Sequence, residues 1–196
     1  MQACNKPLKA DVNQKRKKSM SLYFVNLDDR TRELMLDEVE YDIAHNQLHI
    51  SPVLSGQGQR DYVNLLREAI QSGNDETLSE HLKQHRRINK TQSRKNPKGG
   101  FSIASVPANA AEVLAESEFN RFYIRALARR AIEEGIADLV VYRAKPVQNP
   151  RPKSEALIEA TLPPQDLLAD LRAHPDEPPT LGVPSGPNSG LSVRLP

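Results

Sequence analysis

The chain has 196 residues, with 27 Lys and Arg against 25 Asp and Glu and a formal net charge of +2, a length that suits one domain and excludes two full ones with linkers. Hydrophobic residues make up 38 %, aromatics 5 % and Trp is absent, so the core must be built mainly from Leu, Ile, Val and Ala, and no apolar run approaches the roughly 20 residues that span a bilayer. The single cysteine, Cys4, excludes an internal disulfide, no apolar stretch near Met1 suggests a signal peptide, and the expected location is therefore cytoplasmic.

Residues 1–19 are polar, basic and aperiodic and read as a disordered arm, with Met20 an alternative start because the patterned sequence begins at Ser21. Leu22, Tyr23, Phe24 and Val25 form a β-prone run that suits a strand. Asp28 and Asp29 suit the start of a helix reaching about His45, with Leu34, Met35, Val39 and Ile43 on its apolar face. Asn46 and Gln47 punctuate it. Leu48, His49 and Ile50 suit a second short strand, ended by Pro52 and a loop of Ser55, Gly56 and Gly58. Across residues 60–72, Tyr62, Val63, Leu65, Leu66, Ala69 and Ile70 give an amphipathic helix that Gly73 stops, and Asn74 or Asp75 caps another reaching about Arg87.

Residues 88–100 are polar and basic and read as an exposed loop. Phe101 to Ser105 alternate as an edge strand does, and Pro107 and Asn109 then open a helical stretch, bent near Ser117, that ends at Gly135. Leu139, Val140, Val141 and Tyr142 are the strongest strand signal in the chain. Pro146, Pro150 and Pro152 turn the chain, residues 156–161 suit an edge strand, and Pro163 starts a last helix to about Ala173. Residues 175–196 hold six prolines and three glycines and read as a tail or docking arm, in which Leu181, Val183, Leu191, Val193 and Leu195 recur. The sum is α+β: a single compact domain over residues 20–174 with several amphipathic helices and a small sheet of short strands.

Charge is segregated along this chain. Lys83, Arg86, Arg87, Lys90, Arg94, Lys95 and Lys98 give residues 83–98 a charge of +7 with no acid. Arg121, Arg125, Arg129 and Arg130 follow in residues 121–130, and Arg143, Lys145, Arg151 and Lys153 in residues 143–153, again without acids. Such patterning polarises a surface wherever the stretches meet in space. Within residues 118–135, Phe119, Phe122, Tyr123, Ala126 and Leu127 fall on one side of a helical wheel and Arg121, Arg125 and Arg129 stack on the other, a stripe suited to phosphates or to plain solvation. Asn120 and Arg130 fall inside the apolar sector and need partners. One reading pairs Arg130 with Glu133 or Glu134; the other makes Asn120, Arg130, Arg143 and Lys145 the lining of a pocket.

His81 and His85 stand four apart, the spacing of two metal ligands on one helix face, but no third ligand accompanies them and no metal site is expected. No Gly-rich phosphate loop and no GxSxG elbow is present, so no cofactor is expected and a nucleotide enzyme is disfavoured. The leading expectation is a non-enzymatic binding or assembly protein that contacts nucleic acid or another polyanion through Lys83, Arg86, Arg87, Lys90, Arg94, Lys95, Lys98, Arg121, Arg125 and Arg129. The alternatives are a subunit of a larger complex, self-assembled or bound to an acidic protein and held by its C-terminal arm, and an enzyme with an unfamiliar site around Asn120 and Arg130.

Overall fold

A computed structural model describes residues 21–95, 99–175, 178–184 and 188–196. The arm of residues 1–19, with Cys4, and Lys98 of the basic stretch lie outside the described residues. In chain order the elements are α1 (Asp29–Ala44), α2 (Gly56–Ser72), α3 (Asp75–Lys83), a 3₁₀ turn (Gln84–Arg86), β1 (Thr91–Lys95), β2 (Phe101–Ser105), α4 (Ala110–Glu134), β3 (Leu139–Arg143), α5 (Pro152–Glu155), β4 (Thr161–Leu162), α6 (Pro164–Ala173) and β5 (Leu191–Arg194). The domain is α+β. Helices pack around α4, β1 and β2 form a separate antiparallel hairpin, and a second antiparallel sheet runs β4-β3-β5. No helix among the described residues is long and apolar enough to cross a membrane.

The 25-residue α4 is the axis of the core, touching α1, α3, α6, β3 and β5. Its Ala115, Phe119, Tyr123, Ile124, Ala126, Leu127, Ala128 and Ala131 are all fully buried, so it has no wide solvent face of the kind a surface helix presents. Gly135 closes it in the left-handed conformation, φ 71°, with its N–H on the carbonyls of Ala131 and Ile132. Asp28 caps α1 by accepting from the Thr31 N–H at 2.9 Å, and Asn74 caps α3 in a reciprocal pair with Thr77.

Five local expectations are corrected. Residues 22–25 form no strand, because their backbone bonds go mostly to side chains: Asp75 accepts from Leu22 N–H at 3.0 Å and the Tyr142 hydroxyl donates to the Tyr23 carbonyl, beside a single backbone bond from Tyr23 N–H to the Ala144 carbonyl at 2.9 Å, and at the next residue the Tyr123 hydroxyl accepts from Asn26 N–H at 3.0 Å. Phe24 is the anchor, its ring 5.1 Å from Phe119 and 4.7 Å from Tyr123. Residues 48–50 are irregular as well, since no strand is laid beside them. Ser55, Gly56 and Gly58 are the cap and first turn of α2, with Ser55 Oγ accepting from Gly58 N–H at 3.1 Å. Gly58 breaks nothing there: a Cβ at that position would lie 2.2 Å from the Arg87 carbonyl oxygen. Residues 91–95, within the expected loop, are strand β1, which lacks apolar alternation because it has no buried face. Of the edge strand expected over residues 156–161 only Thr161 is extended, paired with Val140.

β5 lies antiparallel to β3, with Val140 opposite Arg194, Val141 opposite Val193 and Arg143 opposite Leu191. Val183, Leu191 and Val193 are fully buried in the common core. Burying each such side chain stabilises the fold by about 1.5 to 3 kcal/mol, which outweighs the tendency of a Pro and Gly-rich segment to stay solvated.

Candidate polyanion-binding surface

Among the described residues, what separates the cations of α4 and β3 from those around the hairpin is whether a carboxylate stands beside each; Lys153, exposed on α5, has none. On α4 the arginines are taken. Arg125 is fully buried, its Nη1 and Nη2 each 2.7 Å from one oxygen of Asp42 and its Nε 2.8 Å from Glu38. Burial works against its charge, but the Asp42 and Glu38 bonds outweigh it and hold its pKa above the usual guanidinium value. Glu38, also buried, is in turn held below the ordinary carboxyl value, as bonds from Arg172 and Arg125 overcome its desolvation. Arg172 lies 3.9 Å above the Tyr41 ring while it bonds Glu38 at 2.6 Å.

Arg125 therefore is not part of a surface stripe, which corrects its assignment as a polyanion contact. The wheel argument failed because α1 and α6 pack on the side of α4 that it left to solvent. A signal was present: Leu34, Glu38 and Asp42 recur at intervals of four, so two carboxylates share the apolar face of α1 and require buried cations opposite. Arg129 bonds Asp37 at 3.3 Å and Glu38 at 3.4 Å, and Arg121 donates to the carbonyls of Leu171 and His174. Arg130 reaches Glu134 at 2.8 Å and Asp28 at 2.7 Å, closing the start of α1 against the end of α4.

The four residues named as a pocket do not all converge: Asn120, Arg143 and Lys145 each bond the 189–191 segment, whereas Arg130 stands apart. Asn120 donates to the Leu191 carbonyl at 2.8 Å and accepts from Ser192 Oγ at 2.7 Å, pinning β5 to α4. Arg143 bonds the Ser189 carbonyl at 2.9 Å and Glu155 at 2.5 Å, and Lys145 pairs with Glu116. Arg130 stands ten residues along α4 from Asn120, about 15 Å away. A cleft of about 190 Å³ does open between α4 and residues 175–190, and of the four only Asn120 lines it. At its wall Glu118 is buried, and desolvation raises its pKa against the opposing pull of Arg121 and His49. The buried Tyr62 hydroxyl lies beside that carboxyl, in a geometry short of a hydrogen bond. His85 adopts φ 52° in the 3₁₀ turn and leaves the helix face of His81, so the two do not form a ligand pair. No group of three or more His, Cys, Asp or Glu side chains among the described residues could hold a metal ion.

The hairpin differs from α4 and β3. Lys83 pairs with Glu112 at 2.7 Å, and Arg87 with Asp61 at 2.7 Å and the His81 carbonyl at 2.8 Å, so both are structural. Arg86, Lys90, Arg94 and Lys95 are exposed and have no carboxylate partner among the described residues. The hairpin that carries Lys90, Arg94 and Lys95 has a fixed root. Ser55 N–H donates to the Arg87 carbonyl at 2.8 Å, Asn89 N–H to Val53 at 2.8 Å, and the Asn89 side chain to Leu54 at 2.9 Å, beside an isolated bridge from Leu54 to Ile88. Beyond that root, Phe101 is 74 % and Ile103 82 % exposed. Phe101 lies six residues beyond Lys95 in the sequence, and the β1–β2 register sets the two directly opposite each other.

Comparison with protein-family models, with curated proteins and with solved structures finds no match to this chain.

Proposed function

We propose that the protein is a non-enzymatic nucleic-acid-binding protein whose contact surface is the β1–β2 hairpin and the turn before it. The observation that carries the reading is the partition of the cations. Arg125, Arg129 and Arg130 on α4 and Arg143 on β3 are neutralised by Asp28, Asp37, Glu38, Asp42 and Glu155, whereas Arg86 in the 3₁₀ turn and Lys90, Arg94 and Lys95 at the hairpin stand with no carboxylate partner among the described residues. A phosphate chain brought to such cations releases its condensed counterions, and that gain needs no precise fit. A cation already paired inside the protein offers little of it, because the existing pair must first be broken. The reading of the chain as a subunit held by a free C-terminal arm has less support, since β5 spends its hydrogen bonds on β3 of the same domain.

The test is a fluorescence anisotropy titration of the full chain with a labelled single strand and with a labelled duplex at 50 and 200 mM salt. Up to four phosphate contacts predict a slope of about −3 in log K against log salt on the single strand, or roughly a 50-fold loss between the two conditions. Absence of binding at 50 mM salt, or affinity independent of salt, would overturn the reading.

A further inference from the structure

We propose that the outward face of the hairpin takes unpaired bases, with Phe101 as the stacking platform, so that the ligand is single-stranded nucleic acid in preference to duplex. This rests on the polyanion reading above and narrows it. Directly opposite residues of an antiparallel ladder share a face, and the register sets Lys95 opposite Phe101 and Ser93 opposite Ile103. One face of the ribbon therefore carries an aromatic ring, an aliphatic side chain and a cation, all exposed. The other face holds the half-buried Gln92 and Ala104 and, beside them, the exposed Arg94 and Ser102.

The chemistry of that face selects the ligand. Paired bases in a duplex offer edges, which are read by hydrogen-bonding side chains such as Asn, Gln and Arg. Phe101 and Ile103 have nothing to give a base edge, but they match the flat apolar faces that only unpaired bases expose. The two positions lie two residues apart on one strand, about 7 Å. That is about twice the duplex rise of roughly 3.4 Å per nucleotide, a spacing that an unstacked single strand reaches and a helix does not. Lys95, across the ladder from Phe101, is placed for the adjoining phosphate. A second copy of the chain is a poorer occupant: residues 81–111 contain no acid, so two hairpins brought face to face repel.

The experiment uses the full chain with Phe101→Ala, Phe101→Tyr and Phe101→Trp, titrated with a fluorescein-labelled oligothymidylate of about 15 nucleotides and with a duplex of equal length. Phe101 is exposed, so the fold is expected to survive each change, and circular dichroism checks it. F101A should weaken binding to the single strand about tenfold while leaving the duplex affinity and the salt slope in place, and F101Y should restore it. The protein has no other Trp, so F101W adds a single reporter whose emission should be quenched by the unlabelled oligothymidylate and not by the duplex. Salt-sensitive binding that F101A leaves unchanged, or weakens equally on both ligands, overturns the stacking platform while the polyanion reading stands. No salt-sensitive binding to either ligand overturns both. Concentration-dependent self-association abolished by F101A, with oligonucleotide binding intact, assigns the face to a second copy and overturns the proposal as well.

Discussion

Arg125 and Asp42 meet inside the protein in a two-pronged pair, each guanidinium nitrogen 2.7 Å from its own carboxylate oxygen, with both side chains all but removed from solvent. The pair ties α4 to α1, and through Glu38 and Arg172 it reaches α6. Removing one member leaves the others buried without compensation. R125A is therefore expected to lower the free energy of unfolding by about 3 to 5 kcal/mol. R129A, whose side chain is about a quarter exposed, should cost about 1 kcal/mol or less. Urea denaturation of the two variants beside the wild type measures both, and equal costs would show that burial is not what distinguishes them.

The buried carboxyls divide by sign, which gives a dependence on pH. Glu38 has a folded pKa below its ordinary value of 4.5, so its contribution to stability is complete above that value and is lost as pH falls through the folded one. Glu118 is shifted upward by burial, so its contribution is complete below 4.5 and is lost as pH rises through the folded value. E118Q removes that second loss. Thermal melting at pH 5 and pH 8 should show the variant gaining on the wild type at the higher pH. A gain confined to pH 5 would contradict the assignment.

Two glycines separate close approach from backbone strain. At Gly58 a methyl group would meet the Arg87 carbonyl oxygen at 2.2 Å, and at Gly135 it would meet nothing within 4 Å but would sit at φ 71°. G58A is expected to cost about 1 to 3 kcal/mol by overpacking, and G135A about 1 kcal/mol. Only G58A pushes on the hairpin root, so only G58A should speed amide exchange at Asn89 and along β1. Faster exchange there in G135A would argue against a root fixed by α2.

Much of the helical fold was legible because its signals are local. The cap at Asp28, the stop at Gly73 and the left-handed Gly135 each act within one turn of the residue that carries them. The errors lie where a distant partner decides. The backbone of residues 22–26 bonds Asp75, Tyr123, Tyr142 and Ala144, between 53 and 121 positions away, and no window around Phe24 contains them. The same holds at the site. Arg125 looks like Arg94 in sequence, and only the packing of α1 against α4 sends one into the core and leaves the other in water. Arg130 was half legible: its pairing with Glu134 is local, whereas that with Asp28 spans 102 residues.

The central claim is that the cations of the hairpin, and not those of the helical body, hold the ligand. Equal charge neutralisation compares them directly: Lys90→Gln, Arg94→Gln and Lys95→Gln combined in one protein, and Arg129→Gln, Arg130→Gln and Arg143→Gln combined in another, each titrated with the labelled single strand at 50 and 200 mM salt. The account predicts that the hairpin variant loses binding together with its salt slope, while the body variant stays within about twofold of the wild type with its slope intact. A body variant that binds as poorly as the hairpin variant, with both proteins folded, would contradict it.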